Sequence, residues 1–377
     1  MPILTVDEAK ARAIALAEAD DFGPAGFEEG LERTLDAFAC VPLTPEACTA
    51  AMDRIVADLA NRLSIEQWYK DHPEVKDQEI EGPVLVCGLP RTGTTATVGM
   101  MAVDPRYRFL RGWEATSPVP PPVAGDEADD PRVVAAHETA RKFASQQSQH
   151  IMDPDGPEED LAMLAPLNMH AYHGAYPMPD DYLAWWASSD FASTYAYHRR
   201  VLKLLQSRRP PHLWLIKAPI HLFKLEAFAA EYPDAKFVWT HRDPAKVIPS
   251  VSSLQYTLYA QRCVEGSLDK LAAGPKALAF WTDGMARGLA ARKAIGEHRF
   301  IDVWNDDVVA RPIETFEALY DKLGFDITPD FRAGLEDYNR RNARGAHGEH
   351  RYTAEEYGLS RESIRAAFGD YVERFRL

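Results

Sequence analysis

Residues 88–95 read GLPRTGTT. Gly88 and Gly93 keep the spacing of the nucleotide-binding glycine loop G-x-x-x-x-G-K-[ST], and Thr95 fills its final hydroxyl position, but Thr94 stands where that pattern has lysine. The valine-rich run PVLVCGL before the loop and TTATVGMMA at its end read as strand, loop and helix. Backbone N–H groups and the positive end of a helix attract an anion even without a lysine. What is lost is the cation that reaches the β- and γ-phosphates, and the strongly basic side chain lies inside the loop instead, at Arg91. The expected ligand is a 5′-diphosphate-like group with no γ-phosphate, a description that a phosphosulfate anhydride meets.

Pro90, Arg91, Thr92, Gly93, Thr94 and Thr95 resemble, position by position, the loop P-[KR]-[ST]-G-[TS]-[TS] of the sulfotransferases that use 3′-phosphoadenosine 5′-phosphosulfate (PAPS). Arginine at Arg91 is similar to the tyrosylprotein and bacterial branches. The resemblance extends to FVWTHRDPAKVIPSVSSL, where Arg242 at a strand end and Ser250 eight residues later match the pair with which the family binds the 3′-phosphate. A guanidinium makes paired, charge-assisted bonds to phosphate, and Asp243 and Pro244 read as the cap and first turn of the following helix. WEATSPVP, DPDGPEED, LWLIKAPIH and HRYTAEEYGL more loosely resemble the large bacterial branch, whereas the first 78 residues carry little of it.

The resemblance implies transfer of a sulfuryl group from PAPS to a hydroxyl, or less readily an amine, with PAP as product. Such a transfer needs in-line placement, a base for the acceptor proton and stabilisation of the leaving oxygen. It does not inherently need Mg²⁺, because sulfuryl carries less charge than phosphoryl. Arg91 is placed to neutralise the leaving oxygen, and Thr94 and Thr95 to hold the 5′-phosphate. Two residues compete for the role of base. Glu114 follows Arg91 by 23 residues, similar to the glutamate of the arginine-loop branches, and DPRYRFLRGWE reads as a second strand that returns it to the loop's sheet edge. His221 in IKAPIH, near Lys217, resembles the histidine of the cytosolic K-T-H stretch but is displaced by two residues. Ala96 replaces the tryptophan that follows the loop in that branch, and its R-K-G motif is absent. NRRNARGAHGEHRY is the substitute source of basic contacts, with Arg344, His350 and Arg351 as candidates.

A P-loop nucleotide kinase or nucleoside triphosphatase is the alternative, with Asp302 in RFIDVWND as its magnesium-binding carboxylate; the missing loop lysine argues against it. A non-catalytic binding module would have to lack the reactive groups, yet Arg91, Arg242, Ser250 and two base candidates are all present.

These residues need a scaffold. LWLIKA (213–218), AKFVWTHR (235–242) and RFIDVWN (299–305) are further buried-strand candidates with helical patterns between them. The alternation predicts an α/β, P-loop-like three-layer fold with a central parallel sheet. Residues 1–78 read as an N-terminal helical extension, with Thr44 capping a helix at Pro45, and residues 79–377 as the α/β domain. Within it, 118–198 breaks the rhythm with a proline-rich acidic loop, a capped helix start at DPDGPEEDLAML and the aromatic run NMHAYHGAYPMPDDYLAWW. This helical insertion is expected either to cover the acceptor side as a lid or to be ordinary aromatic packing.

Composition narrows the partners. The chain has 377 residues, 46% of them hydrophobic, and a formal charge of -15. That charge excludes the broad basic field that a nucleic acid or an anionic membrane requires. With the aromatic insertion, it favours a small or lipid-like neutral hydroxyl acceptor over a polyanionic glycan; a tyrosine-containing peptide is the other candidate. Four cysteines without metal-ligand spacing, an amphipathic acidic start and no apolar run near the roughly 20 residues of a membrane span lead us to expect a cytoplasmic protein with no metal requirement.

Overall fold

The computed structural model describes residues 2–142, 153–160, 172, 174–342 and 352–377. Five short apolar runs form one sheet: β1 (Val84–Gly88), β2 (Tyr107–Phe109), β3 (Leu213–Lys217), β4 (Lys236–His241) and β5 (Phe300–Trp304). The order is β2-β3-β1-β4-β5 and every neighbouring pair is parallel. A parallel sheet covered on both faces needs apolar side chains at successive positions, and β1 is buried along its whole length. Its side chains alternate between two cores. Leu85 and Cys87 pack with Trp214, Phe237 and Trp239, whereas Val84 and Val86 pack with Leu215, Val238 and Ile301. The sheet is the middle of three layers.

The N-terminal residues form α1 (Val6–Ala17), α2 (Glu28–Ala39) and α3 (Pro45–Asp71). Thr44 caps α3 by accepting from the Ala47 N–H at 3.2 Å, with Pro45 in the first turn. Ile55, Leu59 and Leu63 of α3 join the same buried cluster as Leu85 and Trp239, so this helical layer shares the core of the sheet.

Within 118–198 the described residues include helices Pro131–Lys142 and Asp180–Ser188 and the start of Ala192–Gln206. Two of the described aromatic side chains, Trp186 and Tyr172, are buried packing groups. Trp186 meets Phe223 at 5.3 Å, and the Tyr172 hydroxyl donates to buried Asp58 at 2.8 Å. Of the helix start expected at DPDGPEEDLAML, residues 153–160 are turn and irregular backbone rather than helix; its remainder, and the rest of the aromatic run, lie outside the described residues.

Because the strands are parallel, the carboxyl ends of β1, β3 and β4 share one edge, with Val86 opposite Lys217 and Gly88 opposite Thr240. The glycine loop, the turn Pro219–Phe223 and Arg242 all leave the sheet there. Open α/β sheets hold ligands at this edge. Among the described residues no helix is long and apolar enough to cross a membrane.

Candidate active site

The loop runs from Gly88 to α4 (Thr94–Met101), whose N-cap is Gly93. Both glycines are needed. Gly88 has φ +134°, and a Cβ there would lie 2.6 Å from the Thr240 carbonyl oxygen; Gly93 has φ +92°, and a Cβ would lie 2.4 Å from Asn305 Nδ2. Arg91 is left-handed as well, with φ +64°, which costs a non-glycine residue about 1–3 kcal/mol. Its carbonyl accepts from Arg242 Nη1 at 2.9 Å. A hydrogen bond from a charged donor contributes about 1.5–3 kcal/mol, enough to offset that strain.

Thr92 is fully buried, its hydroxyl 2.6 Å from both the Leu89 carbonyl and the Thr240 hydroxyl, so it pins the loop to β4 and does not face a ligand. Thr94, in the lysine position, is also buried. Half-buried Pro90, the exposed Arg91 and Thr95 side chains and the N–H groups at the start of α4 form the accessible rim.

The second motif arrives at the same place. Asp243 accepts from the Ala245 N–H at 3.0 Å and caps the helix Pro244–Ala260. Ser250, two turns along it, accepts from Arg91 Nε at 3.2 Å. Arg242 Nε is buried without a partner. Beside it an open cavity of about 370 Å³ is lined by Arg242, Lys246 and Arg361, with Tyr352, Pro249 and the carboxylate Glu355. Arg361 also pairs with Asp243 at 2.9 Å and Lys246 with Asp306 at 3.7 Å, so the wall is cationic though partly neutralised. Arg344, His350 and Arg351 lie outside the described residues.

The next strand supplies a lysine in place of the one the loop lacks. Lys217, buried at the end of β3, is 3.4 Å from Thr95 Oγ1 and 2.9 Å from Glu159 Oε1. The other Glu159 oxygen accepts no hydrogen bond among the described residues. Sequence reasoning overlooked this pair. The available signal was a lysine ending the strand beside β1 and an acidic run, PEED, which reads in the sequence only as the start of a helix.

Neither expected base has a free atom. Glu114 lies in the helix Gly112–Thr116, because β2 is only three residues long, and it is fully buried. Its Oε1 accepts from Arg108 Nη2 at 2.5 Å and its Oε2 from the Arg111 N–H at 3.0 Å. The expectation of an available carboxylate at the sheet edge is thus corrected: Glu114 is the counter-charge that buried Arg108 requires. His221 is buried too, with Nε2 2.9 Å from each Asp160 oxygen and Nδ1 2.7 Å from the Tyr195 hydroxyl. A proton on Nε2, assigned from its carboxylate partner, makes Nδ1 the acceptor of Tyr195, and neither nitrogen is left for a substrate.

Asp302, the carboxylate of the triphosphatase alternative, is gripped through both oxygens by buried Arg292 at 2.6 and 2.9 Å and meets His241 at 2.8 Å. It neutralises an arginine inside the fold.

A sequence model of the sulfotransferase family matches residues 83–330, a span that includes the loop, Glu159, Lys217, Arg242 and Ser250. The chain belongs to the sulfotransferase family. This sulfotransferase superposes on sulfotransferase STF9 from Mycobacterium avium with a TM-score of 0.91 and 28% identity, over 99% of this chain and 97% of that one. Sulfotransferase STF1 from Mycobacterium tuberculosis H37Rv gives a TM-score of 0.83 and 29% identity, over 98% and 99%. The sulfotransferase is also 22% identical over 307 residues, 78% of this chain and 74% of the relative, to omega-hydroxy-beta-dihydromenaquinone-9 sulfotransferase Stf3 of Mycobacterium bovis. The near-complete overlap with STF9 takes in α1–α3, which carry little family signal in their residues.

Proposed function

We propose that this sulfotransferase moves a sulfuryl group from PAPS to the hydroxyl of a small or lipid-like acceptor. The observation that carries this reading is the convergence of Arg91, Arg242 and Ser250 through two hydrogen bonds. The N–H groups of the loop and the Thr95 hydroxyl would hold the 5′-phosphosulfate, and Arg242 and Ser250 the 3′-phosphate, with Lys246 and Arg361 extending the cationic wall.

The donor supplies a sulfuryl group activated by its anhydride bond to phosphate. Arg91 neutralises the oxygen that becomes the leaving phosphate oxygen, and Lys217 stabilises charge beside Thr95. Glu159 takes the acceptor proton through the oxygen that Lys217 does not hold. Fixed protein cations thereby do the work that phosphoryl transfer assigns to a metal. Glu114 and His221 act behind the site, as positioning groups. A formal charge of -15 disfavours polyanionic acceptors, and the name of the Stf3 relative describes sulfation of a hydroxylated menaquinone derivative. Both considerations support a lipid-like acceptor.

Calorimetric titration with PAP, and in parallel with ATP and Mg²⁺, on wild type and Arg242→Ala tests the reading. Tight PAP binding that the substitution abolishes supports it. Silence toward PAP with binding of ATP overturns it and revives the triphosphatase alternative.

A further inference from the structure

The segment that carries Glu159 is anchored at one buried point. Asp160 lies between two imidazoles, with His221 Nε2 2.9 Å from each of its oxygens and His198 Nε2 3.0 Å from Oδ2. A phenol backs each ring: the Tyr195 hydroxyl is 2.7 Å from His221 Nδ1, and the Tyr232 hydroxyl 2.8 Å from His198 Nδ1. The His221 Nε2–H donates to the carboxylate and each tyrosine O–H donates to an Nδ1, whereas His198 Nε2 lies close to Oδ2 without hydrogen-bond geometry. Burial alone would raise the Asp160 carboxyl, but His221 and His198 outweigh it and hold the group well below the usual aspartate range. Buried hydrogen bonds in a dry interior are strong and hold their partners in place, and the Asp160 carboxylate presents both oxygens to His221 Nε2. The next residue back, Glu159, turns outward to Lys217.

We propose that the His198–Asp160–His221 array is a positioning device for sulfuryl transfer: it fixes the backbone at Asp160 so that Glu159 meets Lys217 beside Thr95, and none of its three side chains touches the reacting atoms. The proposal rests on the reading of Glu159 as the base. Proton transfer is steep in geometry, so a small displacement of the anchor slows the reaction without loosening the donor.

The test uses the full chain as Asp160→Asn, His221→Ala, His221→Gln and Glu159→Gln. It measures hydrogen exchange of peptide 153–160, PAP affinity, and release of PAP from PAPS with p-nitrophenol and octanol as acceptor probes. Asp160→Asn is expected to speed exchange in that peptide and to lower kcat by about tenfold to a hundredfold at unchanged KM for PAPS and unchanged PAP affinity. His221→Ala behaves in the same way. His221→Gln, whose amide can donate to Asp160 and accept from Tyr195, restores most of the turnover. If His221→Gln is as inactive as His221→Ala while its exchange matches wild type, His221 is the base and the proposal falls; unaltered exchange in Asp160→Asn also overturns it. Should Asp160→Asn fail to fold, the two His221 variants decide alone. Normal turnover in Glu159→Gln sinks the base assignment itself, independently of the exchange result.

Discussion

Arg242 donates to the backbone carbonyl of Arg91 at 2.9 Å, while the Arg91 side chain donates to Ser250, eight residues beyond Arg242, at 3.2 Å. Two stretches more than 150 positions apart in the chain thus close a ring in which each holds the other's geometry.

Arg242→Ala removes both a phosphate ligand and the support of the left-handed Arg91. PAP affinity is expected to fall at least about thirtyfold, the cost of truncating a charged, hydrogen-bonded contact. Arg242→Lys keeps the charge without the planar fork and is expected to fall between the two. Calorimetry on the three proteins checks the order, and equal affinities would remove Arg242 from the donor site.

Glu159 and Glu114 are expected to separate catalysis from stability. Glu159→Gln lowers kcat by about 10²–10⁴ with little change in PAP affinity. Glu114→Gln leaves Arg108 buried without a counter-charge and costs about 3–5 kcal/mol in urea denaturation, while turnover per folded molecule persists. The reverse pattern would restore Glu114 as the base.

Gly88→Ala places a methyl group 2.6 Å from the Thr240 carbonyl oxygen on a positive-φ backbone. The expected loss exceeds about 1 kcal/mol, the usual ceiling of glycine-to-alanine gains at compatible sites, and PAP binding weakens with it. An unchanged melting temperature would contradict the close approach of β1 and β4.

Acid is expected to destabilise the protein through the buried contact of Asp302 with His241. Burial lowers the His241 pKa below its usual 6.5 despite the pull of Asp302. Burial would raise Asp302, but hydrogen bonds from His241 and Arg292 outweigh it and hold the carboxyl well below the usual 3.8. In each case the unfolded chain binds the proton first, so stability falls as pH drops, below 6.5 for the histidine and below 3.8 for the aspartate. Urea midpoints measured downward from neutral pH check the slope, and Asp302→Asn is expected to be less stable at pH 7 with a flatter response below 3.8.

The strands, the loop and the caps at Thr44 and Asp243 are legible in the sequence because short-range rules write them. The spacing of Arg242 and Ser250 is legible for a similar reason, since eight residues are roughly two helical turns. The Lys217–Glu159 and His221–Asp160 partnerships join residues 58 and 61 apart, and no local rule announces them. Glu114 misleads because its spacing from Arg91 says nothing of Arg108, whose buried charge claims the carboxylate.

Contacts within the fold alone hold the loop: Gly88 lies under a carbonyl of β4, Thr92 is lodged against the Thr240 hydroxyl, and the peptide at Arg91 is held by Arg242. An anion entering such a cradle has little backbone left to freeze. Association then forfeits little conformational entropy, and each hydrogen bond made appears almost undiminished as affinity.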